Sequence, residues 1–103
     1  MSFVRVCALS DLADESATAV EVDGLPVCLA RSQGEVLALA DECSHAEVAL
    51  SDGEVGAGTV ECWLHGSRFD LRTGKPIGPP ATEAVKTYPV RVDGDDVLVD
   101  VKE

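Results

Sequence analysis

Two short segments constrain this chain more than anything else in it. Cys43-Ser44-His45 comes first; after sixteen intervening residues comes Cys62-Trp63-Leu64-His65. Each segment offers one thiol and one imidazole from a short loop, and both are metal donors. Tetrahedral zinc is one reading of the four. Cys₂His₂ zinc sites, however, normally group like with like, as C-x₂₋₄-C and H-x₃₋₅-H. Here each loop mixes the two donor types. A cysteine nucleophile with a histidine base is a second reading, and finding the pair twice in matching loops weighs against it. The chain has four cysteines, which could also close two disulfides; the histidine companions and a reducing compartment make that the weaker reading. Cys7 and Cys28 have neither His nor Cys nearby and fall within valine-rich strands. They are expected to be buried, inert thiols, not ligands.

The rest of the pattern is β. Phe3 to Leu9 alternates as a first strand, and Ser10-Asp11-Leu12 is a capping-type turn that opens a short helical turn. Thr18 to Val22 and Leu25 to Ala30 are strands around Asp23-Gly24, a strong hairpin signal. Ser32-Gln33-Gly34 turns the chain into a strand over Glu35 to Leu39. The first donor pair lies in the stretch from Asp41 to Leu50. Ser51-Asp52-Gly53 and Gly56-Ala57-Gly58 break the pattern, and Thr59-Val60-Glu61 is a short strand that delivers Cys62. Arg68 to Leu71 leaves the second loop and ends in a turn at Thr73-Gly74. Lys75-Pro76-Ile77-Gly78-Pro79-Pro80 cannot form helix or central strand. Val85 to Val92 and Val97 to Val101 close the chain as a hairpin around Asp93-Gly94-Asp95-Asp96. Short strands at regular spacing indicate an all-β, antiparallel sandwich or barrel.

Composition sets further limits. At 103 residues one domain, residues 1–103, is expected. Its modest core lets a metal site contribute to stability as well as function. Nineteen acidic residues against eight basic give a formal charge of −11. That argues against nucleic acid, whose phosphates need Lys and Arg, and against anionic membrane surfaces. Such charge serves solubility or steering toward a basic partner. No apolar run reaches the length of a membrane span, and the start, Met1-Ser2-Phe3-Val4-Arg5, lacks the apolar core of a signal peptide. The expected location is the cytoplasm.

The second loop runs on as His65-Gly66-Ser67-Arg68-Phe69-Asp70. With C-x-H in one loop and C-x-x-H-G-S-x-F-D in the other, the chain resembles the Rieske [2Fe–2S] ferredoxins of bacterial ring-hydroxylating dioxygenase systems. The resemblance spans nearly the whole chain. It implies a β-base carrying a small cluster-binding lobe made of two loops, about residues 41–81. It implies one [2Fe–2S] cluster with Cys43 and Cys62 on one iron and His45 and His65 on the other. It further implies that the electron resides on the histidine-bound iron.

Replacing two thiolates by two neutral imidazoles removes negative charge from the oxidised site, so an added electron is accepted more readily. That moves the potential from about −400 mV for plant-type clusters to roughly −150 to +300 mV. High-potential relatives carry an extra cysteine in each loop, joined as a disulfide; Glu47 and Leu64 stand in those places. Where they have a tyrosine that donates to sulfur, this chain has Phe69, which cannot donate. Fewer donors, and the acidic flank of Asp41, Glu42 and Glu47, both lower the potential. A value near the bottom of the Rieske range is expected.

Other residues gain roles from the same resemblance. Gly66 is expected to allow a tight turn with amides facing sulfide, and Ser67 to donate to a bridging sulfide. Trp63 would shield the cluster, form part of a docking face, or simply pack. Gly78-Pro79-Pro80 resembles the proline loop that covers the cluster, Pro79 included; otherwise it is a rigid surface turn. Asp70 could pair with Arg68 or Arg72. The expected protein is a free-standing, monomeric one-electron carrier with no catalytic residues of its own. It would link a flavoprotein reductase to a terminal non-haem iron oxygenase. Alternatives are a housekeeping carrier tied to iron–sulfur assembly, a nitrite-reductase-like component, or a redox sensor.

Overall fold

The computed structural model describes residues 3–41, 49–62, 66–77 and 84–101. Among the described residues eleven strands run in chain order: β1 Val4–Ala8, β2 Ser16–Val22, β3 Leu25–Ser32, β4 Glu35–Ala40, β5 Glu54–Gly56, β6 Thr59–Glu61, β7 Arg68–Asp70, β8 Pro76–Ile77, β9 Thr87–Tyr88, β10 Val90–Asp93 and β11 Asp96–Val99. Two 3₁₀ turns, Leu9–Asp11 and Leu50–Asp52, are the helical elements among the described residues. All pairings are antiparallel and form three sheets, ordered β1-β11-β10, β2-β3-β4-β9 and β5-β6-β7-β8.

The second sheet is the middle layer. In β3 the apolar run is continuous, with Val27, Cys28, Leu29 and Ala30 all fully buried. Successive side chains of a strand point to opposite faces, so such a run needs cover on both sides. Val27 and Leu29 enter a cluster with Val97 and Val99 of the first sheet. Cys28 and Ala30 enter another with Val60, Phe69 and Leu71. Ala38 and Leu39 of β4 divide between the two clusters in the same way. The all-β expectation holds, with two cores sharing one sheet.

Several boundaries differ from the sequence reading, each for a local reason. Val85 to Val92 is not one strand. Pro89 separates β9, which pairs with β4, from β10, which pairs with β11, so the segment changes sheet at a residue that cannot donate to a ladder. β5 falls between two glycine-rich breaks too close together to suggest a strand; the Ala57-Gly58 turn pairs it with β6, with Ala57 φ 53° and Gly58 φ 78°. Pro76 does enter a strand, but at the sheet's edge, where a missing donor is tolerated.

Candidate metal centre

The second candidate ligand segment grows directly out of a hairpin. β6 and β7 pair Thr59 with Asp70, Val60 with Phe69 and Glu61 with Arg68. The next step of the ladder is the Cys62 amide donating to the Ser67 carbonyl at 2.6 Å. The Gly66 amide then donates to the Cys62 carbonyl at 2.9 Å, closing the turn. Gly66 has φ +73°, a region costly for any residue with a Cβ. Its own amide is spent on this closure. Alternation along β6 places Val60 and Cys62 on one face, and both are buried in the same apolar cluster. Ser67 and Phe69 are fully buried; Phe69 shares that cluster, while Gly66 is exposed.

The residues flanking the first candidate ligand segment are joined by Asp41. This half-buried carboxylate accepts the Ser51 amide at 2.7 Å through Oδ1 and the Ser51 hydroxyl at 2.7 Å through Oδ2. The Asp41 amide donates to the Pro26 carbonyl at 3.2 Å, extending the β3–β4 ladder by one step. On the far side Leu50 is fully buried. The proline segment has a comparable stem. The Val85 amide donates to the Gly74 carbonyl at 2.9 Å, and the Ala40 amide to the Lys86 carbonyl at 2.8 Å.

Leu50, Cys62 and Val85 therefore mark the stems of three segments, and all three belong to one buried cluster. Cys43, His45, His65, Trp63 and Pro79 lie outside the described residues. Cys62, Gly66, Ser67 and Phe69 are described and gather around the second stem. Among the described residues no group of three or more His, Cys, Asp or Glu side chains gathers at one point. The donor set suits an iron–sulfur group: two soft thiolates, two imidazoles, and at Cys62 a sulfur turned from water into an apolar wall.

Charged neighbours sort differently from the sequence reading. Asp70 pairs with neither arginine; its Oδ1 accepts the Arg72 amide at 2.8 Å and the Thr73 amide at 3.4 Å. Arg68 instead meets Glu61 at 3.2 Å and Arg72 meets Glu35 at 2.6 Å. A carboxylate at the head of a turn binds the amides two and three residues on at little entropic cost. Cys28 is fully buried, and burial together with the nearby Asp41 charge pushes its thiol up to about 12. Cys7 is only half-buried, because β1 is an edge strand with a register shift between Arg5 and Cys7; burial still raises its pKa.

Three positions escaped the sequence reading. In the sequence Asp41 is one acidic residue of a charged flank; in the fold it is a clamp on Ser51. Gly53 breaks the sequence pattern, and in the fold a Cβ there would lie 1.8 Å from the Glu61 carbonyl oxygen. Glu15 joins two hairpin tips: it accepts the Ser32 hydroxyl at 2.9 and 3.1 Å and the Gln33 amide at 2.9 Å, while the Gly58 amide donates to the Ser32 hydroxyl at 3.1 Å. For Asp41 the available signal was an Asp just before the loop and a Ser just after it.

Residues 2–89 match the family model described as the Rieske [2Fe-2S] domain. The chain belongs to the Rieske [2Fe–2S] family. It is 41% identical over 101 residues to the biphenyl dioxygenase ferredoxin subunit of Pseudomonas sp. (strain KKS102), spanning 97% of this chain and 93% of that subunit. Among solved structures it is similar to the ferredoxin of carbazole 1,9a-dioxygenase from Nocardioides aromaticivorans IC177. That match has a TM-score of 0.91 and 42% identity over 96% of this chain and 97% of the other. A chain in the complex of reduced oxygenase and oxidised ferredoxin in carbazole 1,9a-dioxygenase matches at TM-score 0.88 and 31% identity, over 94% of this chain and 91% of that one. The first two of these relatives are named as ferredoxins of dioxygenase systems. No helix among the described residues is long and apolar enough to cross a membrane.

Proposed function

We propose that this Rieske protein is a low-potential one-electron carrier of a ring-hydroxylating dioxygenase system. It takes electrons from a flavoprotein reductase and passes them to a terminal non-haem iron oxygenase. The observation that carries this reading is end-to-end similarity, in fold and at about two residues in five, to free-standing ferredoxins of such systems. Residues 1–103 form one unit, monomeric and cytoplasmic, with a formal charge of −11 to steer encounter with basic partner surfaces.

Cys43 and Cys62 would hold one iron of the [2Fe–2S] cluster, and His45 and His65 the other. When bound, the cluster supplies a single reversible electron site. The chain's own residues position it and tune it. Cys62 sits against the apolar cluster, which excludes water from the sulfur side. Gly66 shapes the turn that returns the chain to β7. Phe69 offers no donor, and Asp41, Glu42 and Glu47 add negative charge; both keep the potential low. Trp63 and Pro79 belong to the segments that would cover the centre.

The test is reconstitution. Purified protein should restore NAD(P)H-driven electron flow between a dioxygenase reductase and its oxygenase, with turnover proportional to carrier added. A protein whose coloured centre is reduced by the reductase but never reoxidised by any oxygenase would favour the housekeeping reading. One whose affinity for a partner changes with oxidation state, without turnover, would favour a sensor.

A further inference from the structure

The geometry points to Asp41 as a positioning residue for the cluster, acting through Ser51 and Gly53 to couple the first ligand segment to the second. The inference rests on the ligand assignment proposed above and adds a role to a residue that its charge alone would explain differently.

Four observations join up. Asp41 is fixed at the end of β4 by its amide bond to Pro26. Its carboxylate takes both donors of Ser51 at 2.7 Å, a two-point contact between the ends of the segment that carries Cys43 and His45. Bonds to an ionised acceptor are shorter and stronger than neutral ones. Ser51 lies in the 3₁₀ turn Leu50–Asp52, whose Leu50 is anchored in the core and whose cap is Gly53, its amide donating to the Leu50 carbonyl at 2.9 Å. Gly53 in turn packs against the Glu61 carbonyl so closely that no Cβ fits between them. Glu61 is the residue before Cys62. A continuous set of short contacts thus runs from the β3–β4 ladder through the stem of the first segment to the strand that delivers Cys62.

A clamp and a field charge make different demands on Ser51. If Asp41 acts through its charge, Ser51→Ala changes nothing, because the carboxylate remains. If Asp41 positions the loop, Ser51→Ala removes one of the two bonds and loosens the stem with the charge intact. The experiment uses the loaded protein under anaerobic conditions and measures two quantities: the rate at which an iron chelator bleaches the visible absorption, and the reduction potential. The variants are Ser51→Ala, Ser51→Thr, Asp41→Asn, and the double Asp41→Asn/Ser51→Ala.

Bleaching should be about tenfold faster in Ser51→Ala and in Asp41→Asn, the size expected for losing one hydrogen bond to a charged group. The double variant should bleach no faster than Asp41→Asn, since both changes break one contact. Ser51→Thr keeps a hydroxyl and should stay within about twofold of the parent chain. Ser51→Ala that matches the parent in both quantities, with Asp41→Asn shifting the potential alone, overturns the clamp. So does Ser51→Thr bleaching as fast as Ser51→Ala. A parent protein with no coloured centre overturns the ligand assignment and the clamp with it. A coloured parent with an indifferent Ser51→Ala overturns the clamp alone.

Discussion

Replacing Gly53 by alanine should damage this protein far more than the same change at Gly56, three residues along. At Gly53 the new Cβ would stand 1.8 Å from the Glu61 carbonyl oxygen, 2.9 Å from the Glu61 carbonyl carbon and 3.2 Å from the Leu50 carbonyl oxygen. Real Cβ atoms keep at least 3.0 Å, so the backbones must part by about 1.2 Å. All three contacts are main chain, with no flexible side chain to swing aside. β5 begins at the next residue and pairs Glu54 with Glu61, so the separation falls on the β5–β6 ladder and the residue before Cys62. Forced overpacking costs about 1–3 kcal/mol; lost ladder bonds place this case at the upper end, near ~3 kcal/mol. For a domain of this size that is a drop of roughly 10–20 °C in melting temperature. At Gly56 nothing lies within 4 Å of the new Cβ and φ is not positive. There alanine should be neutral, or stabilising by about 0.4–1 kcal/mol through the unfolded chain. Urea midpoints of the loaded proteins, followed by far-UV dichroism and visible absorption, make the comparison. Equal midpoints for Gly53→Ala and the parent, or a larger loss at Gly56→Ala, would refute the packing argument.

Three further outcomes follow from the site and its surroundings. His45→Cys should lower the reduction potential sharply or lose the cluster, because a thiolate adds charge where an imidazole adds none; an unchanged spectrum and potential would remove His45 from the ligand set. Cys28, fully buried with its thiol pushed up to about 12, should resist iodoacetamide in the folded protein while half-buried Cys7 reacts first. Mass mapping that finds Cys28 labelled before Cys7 would contradict the burial. Glu15 has its pKa lowered by the Gln33 amide and Ser32 hydroxyl, so its contribution to stability is full above the unfolded carboxyl range near ~4.3 and is lost as pH falls through the folded value. Urea midpoints between neutral and acid pH should fall less steeply in Glu15→Gln than in the parent; identical slopes would mean the carboxylate does not hold the two hairpin tips.

Much of this architecture was readable because period-two patterning and turn chemistry agree along most of the chain. Asp23-Gly24 and Gln33-Gly34 give the φ-positive turns that fold β2, β3 and β4 into a meander, and Thr59-Val60-Glu61 is the strand as read. The mixed Cys–His pairs stand out because such pairs at this spacing suit few metals, although Cys43, His45 and His65 lie outside the described residues. What stayed hidden depends on partners far along the chain. The sheet change at Pro89 requires knowing that β4 and β11 compete for its two sides. β3's continuous apolar run says that it is covered twice but not by what. Asp41 looks like any acidic residue until Ser51 returns to meet it, and Gly53 looks like a turn glycine until Glu61 passes against it. Asp70 shows the converse: nearby arginines suggested ion pairs, and the local amides took its carboxylate first.

The most direct measurement is electron paramagnetic resonance of the dithionite-reduced protein, grown with ¹⁵N-histidine and read by its nitrogen hyperfine couplings. The account predicts a [2Fe–2S] signal whose reduced iron couples to two histidine nitrogens, both lost when His45 and His65 are replaced. A silent sample from iron-replete cells, or a cluster signal with no histidine nitrogen, would contradict it.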